Sequence, residues 1–156
     1  MNLEMKTYAG VDRRFDFKVK NNRHVLLSDY AHHPKEIIQS AKSLKEIYPD
    51  RKITVIFQPH LYSRTHDFYM DFAEALSHFD EVILTEIYPA REKPMLGVTS
   101  ALIYDNLKSN VEKQMIKKDD VLQFAKSRDF DVLVVLGAGN LDNYTEQLAE
   151  IIKEKE

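Results

Sequence analysis

The chain alternates between short stretches that are apolar at almost every position and longer ones in which apolar residues recur every three or four places. Val25-Leu26-Leu27, Ile53-Thr54-Val55-Ile56-Phe57, Val82-Ile83-Leu84 and Val132-Leu133-Val134-Val135-Leu136 are of the first kind. Continuous β-branched runs of this length belong to strands covered on both faces, the condition of a parallel sheet. Phe15, Phe17 and Val19 instead alternate with Asp16 and Lys18, the period of a half-exposed strand, which puts residues 15–19 at the sheet edge. Glu112-Lys113-Gln114-Met115-Ile116 is a further, more polar strand candidate.

Between these runs the period changes to that of helices. Pro34 suits a first helical position, and Ile37, Ile38, Ala41, Leu44 and Tyr48 follow at helical spacing. Phe68, Phe72, Ala75, Leu76 and Phe79 repeat the pattern. Thr99 or Ser100 can cap a helix through Leu102, Ile103 and Leu107, Asp119 one through Leu122 and Ala125, and Asp142 one through Leu148 and Ile152. Strand and helix in alternation imply right-handed crossovers and an α/β, Rossmann-like three-layer sandwich with a mostly parallel sheet. The one long connection runs over residues 88–99 and contains Pro89, Pro94 and Gly97.

Composition narrows the partners. At 156 residues the chain makes a single domain over 1–156. Apolar residues at 44% and charged residues at 30% have the balance of a globular protein, and a net charge of -3 gives no general attraction to nucleic acid or to an anionic membrane. No run reaches the roughly 18 to 20 apolar residues of a membrane span, and residues 1–6 lack a signal-peptide pattern. The absence of cysteine excludes disulfides, thiolate nucleophiles and zinc-thiolate sites, and fits a cytoplasmic location.

The candidate chemistry gathers where strands run into helices, the edge at which open α/β sheets bind ligands. Ser28-Asp29-Tyr30-Ala31-His32-His33-Pro34 places a carboxylate, a phenol and two imidazoles at one such junction, and Gln58-Pro59-His60-Leu61-Tyr62-Ser63-Arg64-Thr65 places another His and an Arg at a second. Asp29 at a strand end costs desolvation unless a ligand hydroxyl, a cation or a backbone donor engages it. Arg64 opens the second helix, where its fork either clamps a carboxylate or phosphate or remains a solvated charge. Arg13-Arg14 beside Phe15 has the same two readings. Neighbouring His32 and His33 point in different directions and no His-Glu-x-x-His pattern occurs, so backbone hydrogen bonding or helix capping by His33 outweighs a metal site built with Asp29, His60 or His66. A phosphate cradle needs several glycines in one turn. With four glycines in all, and no Gly-Lys-Ser or Gly-Lys-Thr, the chain has none; Gly137-Ala138-Gly139-Asn140 reads as a tight strand-to-helix turn that can also line a ligand.

Taken together, these residues resemble the carboxy-terminal domain of the Mur ligases, and within that family the alanine-adding members. The match runs in register from Gly10-Val11-Asp12-Arg13-Arg14-Phe15 through the Asp29 to Ile37 motif and Phe57-Gln58-Pro59-His60 with Ser63-Arg64-Thr65. It continues through Glu86-Ile87-Tyr88-Pro89-Ala90-Arg91-Glu92 to Leu136-Gly137-Ala138-Gly139-Asn140. The Gln-Pro-His block with Ser-Arg-Thr is the most particular of these.

The resemblance implies a sheet of five parallel strands and one antiparallel edge strand. It also implies two further domains outside this chain, an amino-terminal one for the UDP-sugar and a central P-loop ATPase, with residues 1–9 the remnant of a linker. The implied reaction is ATP-dependent amide formation: the lactyl carboxylate of UDP-N-acetylmuramate takes the γ-phosphoryl group of ATP, and the amine of L-alanine attacks the acyl phosphate. Mg2+, held mainly by the central domain, offsets the phosphate charge. Closure of the carboxy-terminal domain over the other two excludes water and supplies proximity. By position in the motifs, Arg14 and Asp29 serve ATP, while Tyr30, His32, His60 and Arg64 line the pocket for the incoming substrate; no catalytic residue or metal ligand is implied here. Ser28 stands where many relatives carry a second Asp, and Leu61 where many carry Arg, which throws the burden of a two-Arg clamp onto Arg64. A murein tripeptide ligase domain and a free-standing, non-catalytic nucleotide or amino-acid binding module are the alternatives.

Overall fold

The computed structural model describes residues 16–21, 23–136 and 140–155. Six strands are present: β1 Asp16–Lys20, β2 Val25–Asp29, β3 Ile53–Phe57, β4 Glu81–Leu84, β5 Glu112–Met115 and β6 Val132–Leu136. They form one sheet in the order β1-β2-β6-β3-β4-β5. Only β1 is antiparallel to its neighbour; all other pairs are parallel. The register of β1 shifts between Phe17 and Val19, an irregularity that sheet edges tolerate.

The near-continuous apolar runs are explained by what lies above and below them. Val25, Leu27, Ile53, Val55, Phe57, Val82, Leu84, Val132, Val134 and Leu136 join one core with α1 Pro34–Ile47, α2 Tyr62–Leu76 and the single turn α3 Ala101–Tyr104. The residues between them, Leu26, Ile56, Ile83, Leu133 and Val135, join a second core with α4 Val121–Ser127 and α5 Thr145–Glu154. Each side chain so buried contributes about 1.5–3 kcal/mol, so a polar residue in a central strand needs a partner; buried Thr54 has one, donating to Glu81 across the β3–β4 pair. At the other edge all four residues of β5 are exposed, and its charges discourage further strand pairing.

Two helix starts and one helix length differ from the sequence expectation. The helix expected from Thr99 or Ser100 to Leu107 has Ser100 at its N-cap but runs for one turn only; the Ser100 hydroxyl bonds back to the Thr85 carbonyl rather than capping. Asp119 lies in a 3-10 turn, Lys118–Asp120, with Asp120 at the N-cap of α4. Asp142 likewise lies in the 3-10 turn Asn140–Tyr144, and Tyr144 holds the N-cap of α5. In α2 the expected core residue Phe68 is 42% exposed. A kink at that residue (φ -126°, ψ 16°) takes its side chain out of the face formed by Thr65, Phe72, Ala73 and Leu76.

The connectivity fixes where a ligand meets the sheet. After β2 and β3 the chain turns to the face of α1 and α2, whereas after β6, which lies between them, it turns to the face of α5. Such a reversal leaves a crevice outside the carboxyl ends of the strands. Asp29 and Gln58 stand at that crevice.

Candidate functional site

Asp29 ends β2 and is 1% exposed. Of the three ways to offset its burial, the structure uses a backbone donor: the Ala31 N–H donates to Oδ1 at 3.1 Å, and the Ser40 hydroxyl from α1 donates to Oδ2. This carboxylate therefore holds the turn that carries Tyr30 and His32. His33 is the N-cap of α1; its Nδ1 accepts from the Lys35 N–H at 3.3 Å, and Glu36 closes a capping box. The same Glu36 accepts the N–H groups of His32 and His33 at 3.1 and 3.2 Å. His32 is left half-buried, its Nδ1 3.1 Å from the Tyr30 carbonyl and its ring edge-on to Tyr30 at 5.4 Å.

The second junction is built on Gln58, which directly follows the apolar run of β3. Its buried side chain accepts the Leu141 N–H at 3.1 Å and so ties the end of β3 to the segment that follows β6. The connection then pairs with the long loop after β4: the Leu61 N–H donates to Tyr88 and the Tyr88 N–H to Pro59, both at 2.8 Å. The His60 ring stacks on Tyr88 at 5.6 Å with an interplanar angle of 14°. Leu61 takes φ 74°, ψ 137° at the N-cap of α2 and offers no side-chain cap. Glu92 supplies the acceptor instead, receiving the Ser63 N–H at 3.0 Å and the Ser63 hydroxyl.

Arg64 follows Ser63 in the first turn of α2, half-buried, and its guanidinium makes no hydrogen bond or ion pair among the described residues. Its charge acts on His60. Burial first, then the charges of Arg64 and His32, push the His60 imidazole below its ordinary value, while Glu92 opposes them. Glu92 is itself held below the usual carboxylate range, chiefly by the Ser63 hydroxyl and N–H. His60 Nδ1 is buried without a hydrogen-bond partner among the described residues. An imidazole pushed below its ordinary value and an uncommitted guanidinium thus share one corner with His32 close by, a combination suited to a carboxylate and a neighbouring polar group.

Arg14 and the 137–139 turn lie outside the described residues. His66 stands apart, exposed and paired with Asp67 at 3.1 Å. No three His, Asp or Glu side chains come together as a metal site among the described residues. A cleft of about 340 Å³ opens nearby, between the carboxyl ends of β4 and β5, with walls that include Ile87, Val98 and Met115; it meets the site through Tyr62. Sequence reasoning overlooked Gln58 and Glu92 as organisers of the site. A polar residue directly after an all-apolar strand is the signal for the first. For the second it is a helix entered through Leu61, without a capping side chain.

Residues 13–154 match the family described as Mur ligase, glutamate ligase domain. A UDP-N-acetylmuramate--L-alanine ligase of Phocaeicola vulgatus is 56% identical over 97% of this chain, which covers 33% of that protein. The chain thus spans about a third of the length of the curated relatives it matches. Among solved structures, the UDP-N-acetylmuramate-alanine ligase of Thermotoga maritima superposes with a TM-score of 0.73 at 28% identity, over 92% of this chain and 30% of the other. A murein peptide ligase of Psychrobacter arcticus, at 0.71 and 19% identity over 90% and 30%, shares the fold. With the family's match extending over nearly all of the sequence and its sheet topology in place, this chain belongs to the Mur ligase family as its carboxy-terminal domain.

Proposed function

We propose that the chain is the carboxy-terminal domain of the ligase that joins L-alanine to UDP-N-acetylmuramate at the expense of ATP in peptidoglycan synthesis. The observation that carries this reading is the placement of Arg64, whose guanidinium makes no hydrogen bond or ion pair among the described residues, near His60, whose imidazole burial and the Arg64 charge push below its ordinary value. Arg64 binds the α-carboxylate of the incoming amino acid bidentately. Tyr30, His32 and His60 wall the place of the amino acid and exclude water. Asp29 acts through the turn it anchors, which presents Tyr30 and His32 at the domain surface, and Arg14 reaches the nucleotide.

ATP supplies the phosphoryl group that activates the sugar-lactyl carboxylate, and the partners of this domain are the UDP-sugar and ATPase domains of the same ligase. The described residues offer no ligand set for Mg2+. No helix among the described residues is long and apolar enough to cross a membrane, in keeping with work in the cytoplasm, where ATP and nucleotide sugars are made.

The test is product formation by the complete ligase. Mass spectrometry of UDP-N-acetylmuramate, ATP and L-alanine incubated with it should show the UDP-N-acetylmuramoyl-alanine amide. Acceptance of a preformed tripeptide in place of L-alanine would move the chain to the murein tripeptide ligases. Ligand binding without turnover would leave only a binding module.

A further inference from the structure

A helix leaves its first N–H groups without intrahelical acceptors, and a side chain at the N-cap normally supplies one. Leu61 cannot, and its backbone sits at φ 74°. The acceptor comes from 29 residues further along the chain, where Glu92 takes both the N–H and the hydroxyl of Ser63, with the N–H of Tyr62 also acting on its carboxylate. Backbone bonds between Leu61, Tyr88 and Pro59 and the His60–Tyr88 stack hold the other side of the same loop. Arg64 is the next residue after Ser63, and His60 immediately precedes Leu61. The two side chains of the anion corner are therefore carried on a backbone whose direction is set from the loop.

We propose that Glu92 is a positioning residue for the incoming amino acid: by clamping Ser63 it fixes the first turn of α2 so that Arg64 and His60 converge on one carboxylate. The inference rests on the reading of that corner as the amino-acid subsite. Glu92 does not touch the substrate. It acts through a geometry that a misplacement of 1 Å would spoil. A carboxylate at this point also complements the positive end of the helix, so a neutral isostere restores the clamp in part.

Two measurements test the proposal. In the complete ligase, Glu92→Ala should raise KM for L-alanine about tenfold while kcat and the KM values for ATP and UDP-N-acetylmuramate stay within about twofold, with Glu92→Gln between it and the wild type. Ser63→Ala, which keeps the N–H donor, should show a smaller rise. In the chain described here, amide exchange at Ser63 should speed up in Glu92→Ala. Unchanged KM for L-alanine with a deprotected Ser63 amide would make the contact merely structural, and an equal loss for all three substrates would do the same. If the wild-type ligase does not use L-alanine, the functional reading fails by itself. A Ser63 amide still protected in Glu92→Ala would then overturn the clamp independently.

Discussion

At the scale of single residues, Arg64 should matter through its shape as much as its charge. Arg64→Ala in the complete ligase should lower kcat/KM for L-alanine by about ten- to a hundredfold, the value of a charge-assisted hydrogen bond of roughly 1.5–3 kcal/mol. Arg64→Lys keeps the charge without the fork and should lose less. His66→Ala should lose least, since His66 is exposed and occupied with Asp67. Steady-state kinetics with varied L-alanine decides, and an unimpaired Arg64→Ala enzyme removes Arg64 from the site. His60 offers a second handle. Burial and then the Arg64 and His32 charges lower it, and Glu92 opposes them. NMR titration of its ring should therefore give a midpoint below the ordinary 6.5, moving up in Arg64→Ala and further down in Glu92→Gln. The strand-to-helix junction pointed to Arg64 and His60 as candidates, because the carboxyl edge of a parallel sheet is where ligands bind. Glu92 was not legible, because its contact spans two connections and no local pattern records which loop folds over which helix.

Among elements, the strands and the entry into α1 were readable, with His33 at its N-cap and Pro34 in its first turn, whereas two later helix entries were displaced. β3 and β6 coincide with their apolar runs because covering both faces leaves no room for another pattern. Asp119 and Asp142 satisfied a local rule for capping, yet 3-10 turns intervene and the N-caps fall at Asp120 and Tyr144, one and two residues later. The entry into α2 departs furthest from local preference. A leucine at φ 74°, ψ 137° is close to a region that only glycine enters freely, at a cost of order 1–3 kcal/mol. Leu61→Gly and Leu61→Ala both remove the side chain beyond Cβ, so their difference reports chiefly on the backbone. Urea unfolding of the chain should find the glycine variant more stable than the alanine variant by about 1 kcal/mol, after the extra freedom of glycine in the unfolded state is offset. Equal midpoints would show that the loop around Leu61 adjusts without strain.

For the whole molecule, a sheet covered on both faces should unfold as one cooperative unit, and the edge opposite the candidate site governs how that unit meets acid. Glu81, 5% exposed at the start of β4, receives Arg128 bidentately at 2.8 and 2.9 Å, with Thr54 at 3.1 Å and Lys52 at 3.5 Å. Desolvation raises its affinity for a proton, but the Arg128 hydrogen bonds and charge, with Lys52 and Thr54, outweigh it and leave the group below its ordinary 4.5. A carboxylate depressed in the folded state contributes stability that is fully present above its unfolded value and lost as pH falls through the folded one. His60, also depressed, binds more protons when unfolded, so its own loss begins earlier, as pH falls below about 6.5. Thermal unfolding followed by circular dichroism should give a single transition whose midpoint declines first below about pH 6.5 and again below about 4.5. Glu81→Gln should lower the neutral-pH midpoint, since it leaves the Arg128 guanidinium without its anion. The cost is about 2 kcal/mol, discounted because Arg128 is 31% exposed, or roughly 4–8 °C. The same variant should flatten the second decline and leave the first intact. An acid profile unchanged by Glu81→Gln would show that the unfolded chain keeps this pair, or that other carboxylates carry the acid response.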